Sequence, residues 1–61
     1  MCEANAYIER DGREDLVMEG VFVVKAEPGG KVILENIFGE QRVIEAEISR
    51  ISLMEHKIIF K

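Results

Sequence analysis

The chain has 61 residues, 48 % of them hydrophobic and 33 % charged, and that balance excludes an intrinsically disordered chain. Twelve acidic residues against eight basic ones give a formal charge of −4, which disfavours a polyanionic partner and favours solubility or the attraction of cations. A chain of this length buries only about 60 % of its unfolded surface, so one domain over 1–61 is expected, with a homodimer as the remedy for a marginal core.

The first stretch, residues 2–10, alternates strictly. Cys2, Ala4, Ala6 and Ile8 fall on one face of a strand, and Glu3, Asn5, Tyr7 and Glu9 on the other. It ends at Asp11-Gly12, a pair favoured where both central residues of a hairpin turn need positive φ. From residue 14 to 25 the apolar positions no longer alternate, and Gly20 stands where a bulge or bend would fall. A helix over 15–25 is the competing pattern, but Val21-Phe22-Val23-Val24 and the central glycine favour extended structure.

Pro28-Gly29 fits positions i+1 and i+2 of a type II turn, Pro through its fixed φ and Gly through its tolerance of φ > 0. Residues 32–38 form the returning arm, and Gly39 would occupy the first central position of a type II′ turn. In residues 41–53, Ile44, Ala46 and Ile48 share a face, whereas Ile51 and Leu53 are displaced by one. A bulge or a single 3₁₀ turn at Ser49-Arg50 would restore all five to one side. Residues 54–57 turn the chain and 58–60 make a last short strand. Five or six short strands at this spacing predict an all-β fold, a small antiparallel barrel of SH3-like or OB-like kind. Residues 21–24 and 58–60 are apolar on both faces; one face would fill the barrel and the other would meet a second copy.

Cys2 is the only cysteine, so no internal disulfide forms. No apolar run follows a basic segment or approaches the ~20 residues that span a membrane, so an unprocessed cytoplasmic protein is expected. A free cysteine most often behaves as a small apolar residue, and Cys2 could simply cap the apolar face of its strand. Its place at the chain start offers a second role. Removal of Met1 would leave a free α-amine beside the thiol. With unperturbed pKa values of about 7.7–8 for the amine and 8.5 for the thiol, a metal can displace both protons near neutral pH. An N,S set with a deprotonated backbone amide suits square-planar Ni(II) or Cu(II) better than tetrahedral Zn(II).

Met1-Cys2-Glu3-Ala4-Asn5-Ala6-Tyr7, Ile37-Phe38-Gly39-Glu40 and Arg50-Ile51-Ser52-Leu53 resemble the CooT family of small nickel-binding proteins, and the resemblance covers nearly the whole chain. It implies nickel as the bound ion, Cys2 as the metal ligand, and a metallochaperone or accessory role toward a client metalloenzyme, carbon monoxide dehydrogenase. Many relatives of this kind carry the label "predicted RNA-binding protein".

The other candidate groups are weaker. His56, between Glu55 and Lys57, has the setting of a solvated turn residue and becomes a ligand only where folding brings its turn to Cys2. Glu45 and Glu47 share a strand face without a nucleophile nearby. Asp11, Glu14 and Asp15 lack the spacing of a calcium loop. Gly29-Gly30-Lys31 lacks the rest of a phosphate loop. With one histidine and no catalytic set, the chain is expected not to be an enzyme. For RNA, Tyr7 with Arg10, Lys25, Arg42 and Arg50 is the best patch, but these cations are scattered among acids, and RNA binding is the alternative to metal binding. A structural interaction domain, binding neither, is the third.

Overall fold

The computed structural model describes residues 3–61. They form six strands in one sheet: β1 (Ala4–Arg10), β2 (Arg13–Glu27), β3 (Lys31–Asn36), β4 (Gln41–Glu45), β5 (Ile48–Ser52) and β6 (Lys57–Phe60). Their order across the sheet is β4-β3-β2-β1-β6-β5. The all-β fold matches the expectation. Of the five pairings four are antiparallel; the exception is β1 with β6, which run parallel, Ala6 opposite Ile58 and Ile8 opposite Phe60.

The link between β4 and β5 shows how strongly the sheet is curled. These strands occupy opposite edges, yet only Ala46 and Glu47 separate them. A flat sheet of this many strands would hold its edges about 24 Å apart, at roughly 4.8 Å per strand. Two linking residues reach only about 10 Å. The edges therefore meet at this corner, where Ala46 N–H donates to Gly30 O at 3.2 Å and Glu47 exchanges bonds of 3.1 and 2.8 Å with Lys61. The rest of the seam stays open, so the barrel is incomplete.

Gly20 divides β2 as its sequence suggested. Ala4 pairs with Val21 and Ala6 with Met18, so Asn5 alone faces both Glu19 and Gly20, the arrangement of a β-bulge. Gly20 has φ +66°, and a Cβ there would lie 3.1 Å from Cγ1 of Ile37. On either side of this bend β2 serves two partners, β1 before it and β3 after it.

The turns follow their chemistry, with one correction. Asp11 and Gly12 both have positive φ, 51° and 78°, as a type I′ turn needs, and Gly29 has φ 87° at the position a type II turn reserves for glycine. Gly39 does not sit at the first central position of a two-residue turn. Asn36 accepts from Gly39 N–H at 3.1 Å and donates its own N–H to Glu40 O at 3.0 Å. This is a three-residue loop closed by a glycine in the left-handed region, φ 83°. The side chain of Asn36, 2 % exposed, explains the difference: its Oδ1 accepts from Phe38 N–H and Glu40 N–H, and its Nδ2 donates to Glu40 Oε1. An apolar side chain there would leave those amides without partners.

The core is small. Ala6, Val21, Val32, Leu34, Ile58 and Phe60 are buried together, with Ala4, Ile8, Val17, Met18, Ile44 and Ala46 packed against them. The expected irregularity in β5 is present: Ile48 pairs with Phe60 and Ile51 with Ile58, with a register shift between Ile48 and Arg50 that keeps both isoleucines on the core side. The expectation for residues 58–60 needs correcting. All three are buried within the subunit, Ile58 7 % exposed and Ile59 and Phe60 0 %, because β6 lies between β1 and β5 rather than at an edge. They leave no second face for another copy. Among residues 21–24, Val21 is also buried, whereas Phe22 and Val24 remain 50 % and 37 % exposed.

Candidate functional site

Two elements converge on the start of β1. The turn after β5, whose His56 has φ 55°, passes beside it, and Asn5 N–H donates to His56 O at 2.8 Å. On the other side lies the bulge of β2, where Gly20 N–H donates to Asn5 Oδ1 at 3.1 Å. Glu3, Ala4, Asn5 and His56 together line a small recess, so the fold brings the only histidine to the start of the chain. Cys2, the expected ligand, lies outside the described residues. Among the described residues no three His, Asp or Glu side chains come together as a metal cluster.

Beside this recess runs an apolar groove of about 360 Å³, lined by Ala4, Phe22, Val24, Ile51, Leu53 and Ile58 among others. It is the open seam of the barrel, where the later half of β2 and the edge strand β5 fail to close on each other. Ile51 is 54 % exposed and Leu53 83 %. Thus an exposed apolar strip adjoins the chain start.

The other candidates stay apart. Glu45 ends β4 and Glu47 lies in the link to β5; both are exposed, with no nucleophile between them. Asp11 and Asp15 are exposed, while Glu14 is engaged with two cations: Arg50 Nη2 lies 3.3 Å from Glu14 Oε2, and Lys57 Nζ 3.3 Å from Glu14 Oε1. Lys31 follows a hairpin turn, not a helix N-terminus. Three members of the candidate RNA patch have partners within the subunit. Arg50 also pairs with Glu55 at 3.8 Å, Arg42 Nη1 donates to Val17 O at 2.8 Å, and Tyr7 has Lys57 over its ring at 5.2 Å. These cations and the aromatic ring are used within the subunit.

Reading the sequence missed Asn5. Asparagine is depleted in strands, and that was the available signal: a polar residue inside β1 needs a partner, and the bulged Gly20 amide supplies it.

Comparison with known proteins agrees with this architecture. The solved structure assigned to CooT of Carboxydothermus hydrogenoformans superposes with a TM-score of 0.89 at 41 % identity, covering 97 % of this chain and 94 % of that one. An uncharacterized protein of Methanocaldococcus jannaschii is 38 % identical over 61 residues, which is 100 % of this chain and 98 % of that protein. No helix among the described residues is long and apolar enough to cross a membrane. Residues 1–61, the whole chain, match the family described as "CO dehydrogenase accessory protein CooT", an accessory rather than a catalytic family, and to that family the chain belongs.

Proposed function

We propose that this chain binds Ni(II) through the Cys2 thiolate and the main-chain nitrogens at the chain start, and serves in the cytoplasm as a metallochaperone or accessory factor for a nickel-containing CO dehydrogenase. Membership of an accessory family over the full length of the chain is the observation that carries this reading. Ligand chemistry supports it. Cys2 is the only thiol, and thiolate with amine and amide nitrogen is a donor set that square-planar Ni(II) accepts. Nickel is here the cargo, to be passed to the client enzyme.

A homodimer belongs to the same proposal. The apolar groove of Phe22, Val24, Ile51 and Leu53 is the surface we assign to the second copy, in place of the buried residues 58–60. Glu3 and Ala4 also line this groove.

The test is a nickel titration followed by thiolate charge-transfer absorbance. Cys2→Ser should abolish nickel binding with the fold intact, because a hydroxyl stays protonated near pH 7 and cannot replace the soft anionic donor. Tight, stoichiometric binding by the folded variant would refute the assignment. A salt-dependent affinity for RNA in place of nickel binding would favour the RNA-binding alternative.

A further inference from the structure

We propose that the free edge of β2 over residues 14–16, with the cleft beside it, takes up an extended segment of a partner protein that carries a basic side chain, added to the sheet as a further strand. This goes beyond nickel binding and does not rest on it. Asp11-Gly12 is a two-residue turn, so Arg10 and Arg13 close the hairpin as a hydrogen-bonded pair, and such pairs then alternate along the ladder. Ile8 and Asp15 form the next one. Glu14 and Leu16, on either side of Asp15, face Glu9 and Tyr7 without bonding them, and their main-chain N–H and C=O point away from β1. β3 joins β2 only from Val21 onward, and among the described residues no turn bond reaches Glu14 or Leu16. An edge of this kind binds through the main chain of an added strand and selects through its alternate side chains.

The edge borders a cleft of about 540 Å³, walled on its far side by the β3–β4 loop and the start of β4. One bond already shows that β2 accepts a donor from this side. Tyr7 pairs with Leu16 and Ala6 with Met18, so Val17 is an extra residue in the ladder, and its carbonyl accepts from Arg42 Nη1 at 2.8 Å across the cleft. The stretch 14–18 measures about 13 Å, room for four or five residues of an added strand. The walls set the chemistry of that strand. Leu16 and Phe38, 51 % and 72 % exposed, offer contact to apolar side chains. Glu19 and Glu40 line the cleft and enter no ion pair among the described residues, while Arg42 commits part of its guanidinium to Val17 O. Two carboxylates against one guanidinium leave the cleft negative, which favours a Lys or Arg on the segment. A second copy of this chain would bring the same acids and is disfavoured.

The experiment selects random heptapeptides displayed on phage against the parent chain, then titrates the enriched sequences, as synthetic peptides, into the isotope-labelled protein by nuclear magnetic resonance. Enriched peptides should carry Lys or Arg and, at saturation, slow the exchange of the Glu14 and Leu16 amide hydrogens about tenfold or more. Methylating alternate main-chain nitrogens of the peptide separates strand addition from side-chain contact. One alternate set should abolish binding and the other leave it largely intact, because only every second residue turns its main-chain groups to the β2 edge. Glu19→Gln, at an exposed position, should fold as the parent does and bind about two- to fivefold more weakly, the scale of a surface ion pair. The inference is overturned if no peptide is enriched, if the enriched peptides are acidic, or if the Glu14 and Leu16 amides do not respond. Equal binding by both methylated sets, or parent-like affinity in Glu19→Gln, overturns it as well. So do peptides that perturb Phe22 and Ile51 instead, since they would place binding in the other groove.

Discussion

β5 and β6 are neighbours in the sheet and both carry a pair of isoleucines, yet these have opposite fates. In β6, Ile58, Ile59 and Phe60 are all 7 % exposed or less; in β5, Ile48 and Ile51 are 44 % and 54 % exposed although they pair directly with Phe60 and Ile58. Position in the sheet makes the difference. β6 has a strand on each side and the curl of the sheet over it, whereas β5 is an edge facing an open seam. An apolar residue on the core side of a strand is thus not buried until the barrel closes over it. In this protein the unclosed part lies next to the chain start.

The sharpest test of that contrast is Phe60→Ala against Ile51→Ala. Truncating a fully buried phenylalanine should cost about 3–5 kcal/mol. A chain of this size has only about 3–9 kcal/mol to lose, at roughly 0.05–0.15 kcal/mol per residue. Phe60→Ala should therefore lose a large share of its stability, with a urea midpoint by circular dichroism far below the parent's. A cooperative unfolding curve near the parent midpoint would show that β6 is not the centre of the core.

Asn36→Ala should come next, at about 1–3 kcal/mol, because the Phe38 and Glu40 amides both lose their acceptor at the β3–β4 loop. In a Glu40→Gln background, which avoids setting two carboxylates together, Asn36→Asp keeps the acceptor oxygen and should recover much of the loss that Asn36→Ala shows there. Equal losses for Ala and Asp in urea denaturation of that background would place the cost in packing and not in these bonds.

Much of this architecture was legible because turn chemistry is local. Asp11-Gly12, Pro28-Gly29 and Gly20 each announce a backbone conformation that few other residues adopt, and each is found where the sequence placed it. What depends on distant partners was not legible. Alternation in residues 58–60 could report two apolar faces but not that β6 would be enclosed by β1 and β5, and the parallel β1–β6 pairing joins strands some fifty residues apart. The same holds near the chain start. The proposal for Cys2 comes from resemblance and ligand chemistry, while the approach of His56 and Gly20 to Asn5 exists only once the sheet has curled.

Ile51 gives a smaller effect within the subunit and a larger one between subunits. Being half exposed, Ile51→Ala should cost about 1 kcal/mol in a single chain, roughly half the value of a fully buried isoleucine. Ile51→Lys places a charge in the apolar groove that we assign to the second copy, and an unpaired charge is costly to bury. Sedimentation at micromolar concentration should show dimers of the parent chain and monomers of Ile51→Lys. A parent chain sedimenting only as a 7.0 kDa species would remove the groove as a dimer surface.

The smallest expected effect concerns the face of β5 and β6 that looks away from the core. There Glu14 of β2 receives Arg50 of β5 and Lys57 of β6, each at 3.3 Å, with Lys57 also over the ring of Tyr7 in β1. These contacts draw the β5 edge toward the first half of β2, across strands that the ladder already joins. Glu14→Gln would break both ion pairs while keeping the side-chain shape. The side chains are 27 %, 52 % and 31 % exposed for Glu14, Arg50 and Lys57, so water and salt screen them. Exposed pairs are worth about 0.2–1 kcal/mol, and two pairs sharing one carboxylate should give a total near the upper end of that range. The effect should shrink in 1 M salt, where the screening length falls to about 3 Å. Urea denaturation of the parent chain and Glu14→Gln at low and high salt measures both. A loss well above 1 kcal/mol that persists in high salt would mean that Glu14 supports the edge through packing over Ile59, making β5 less open than its exposed isoleucines indicate.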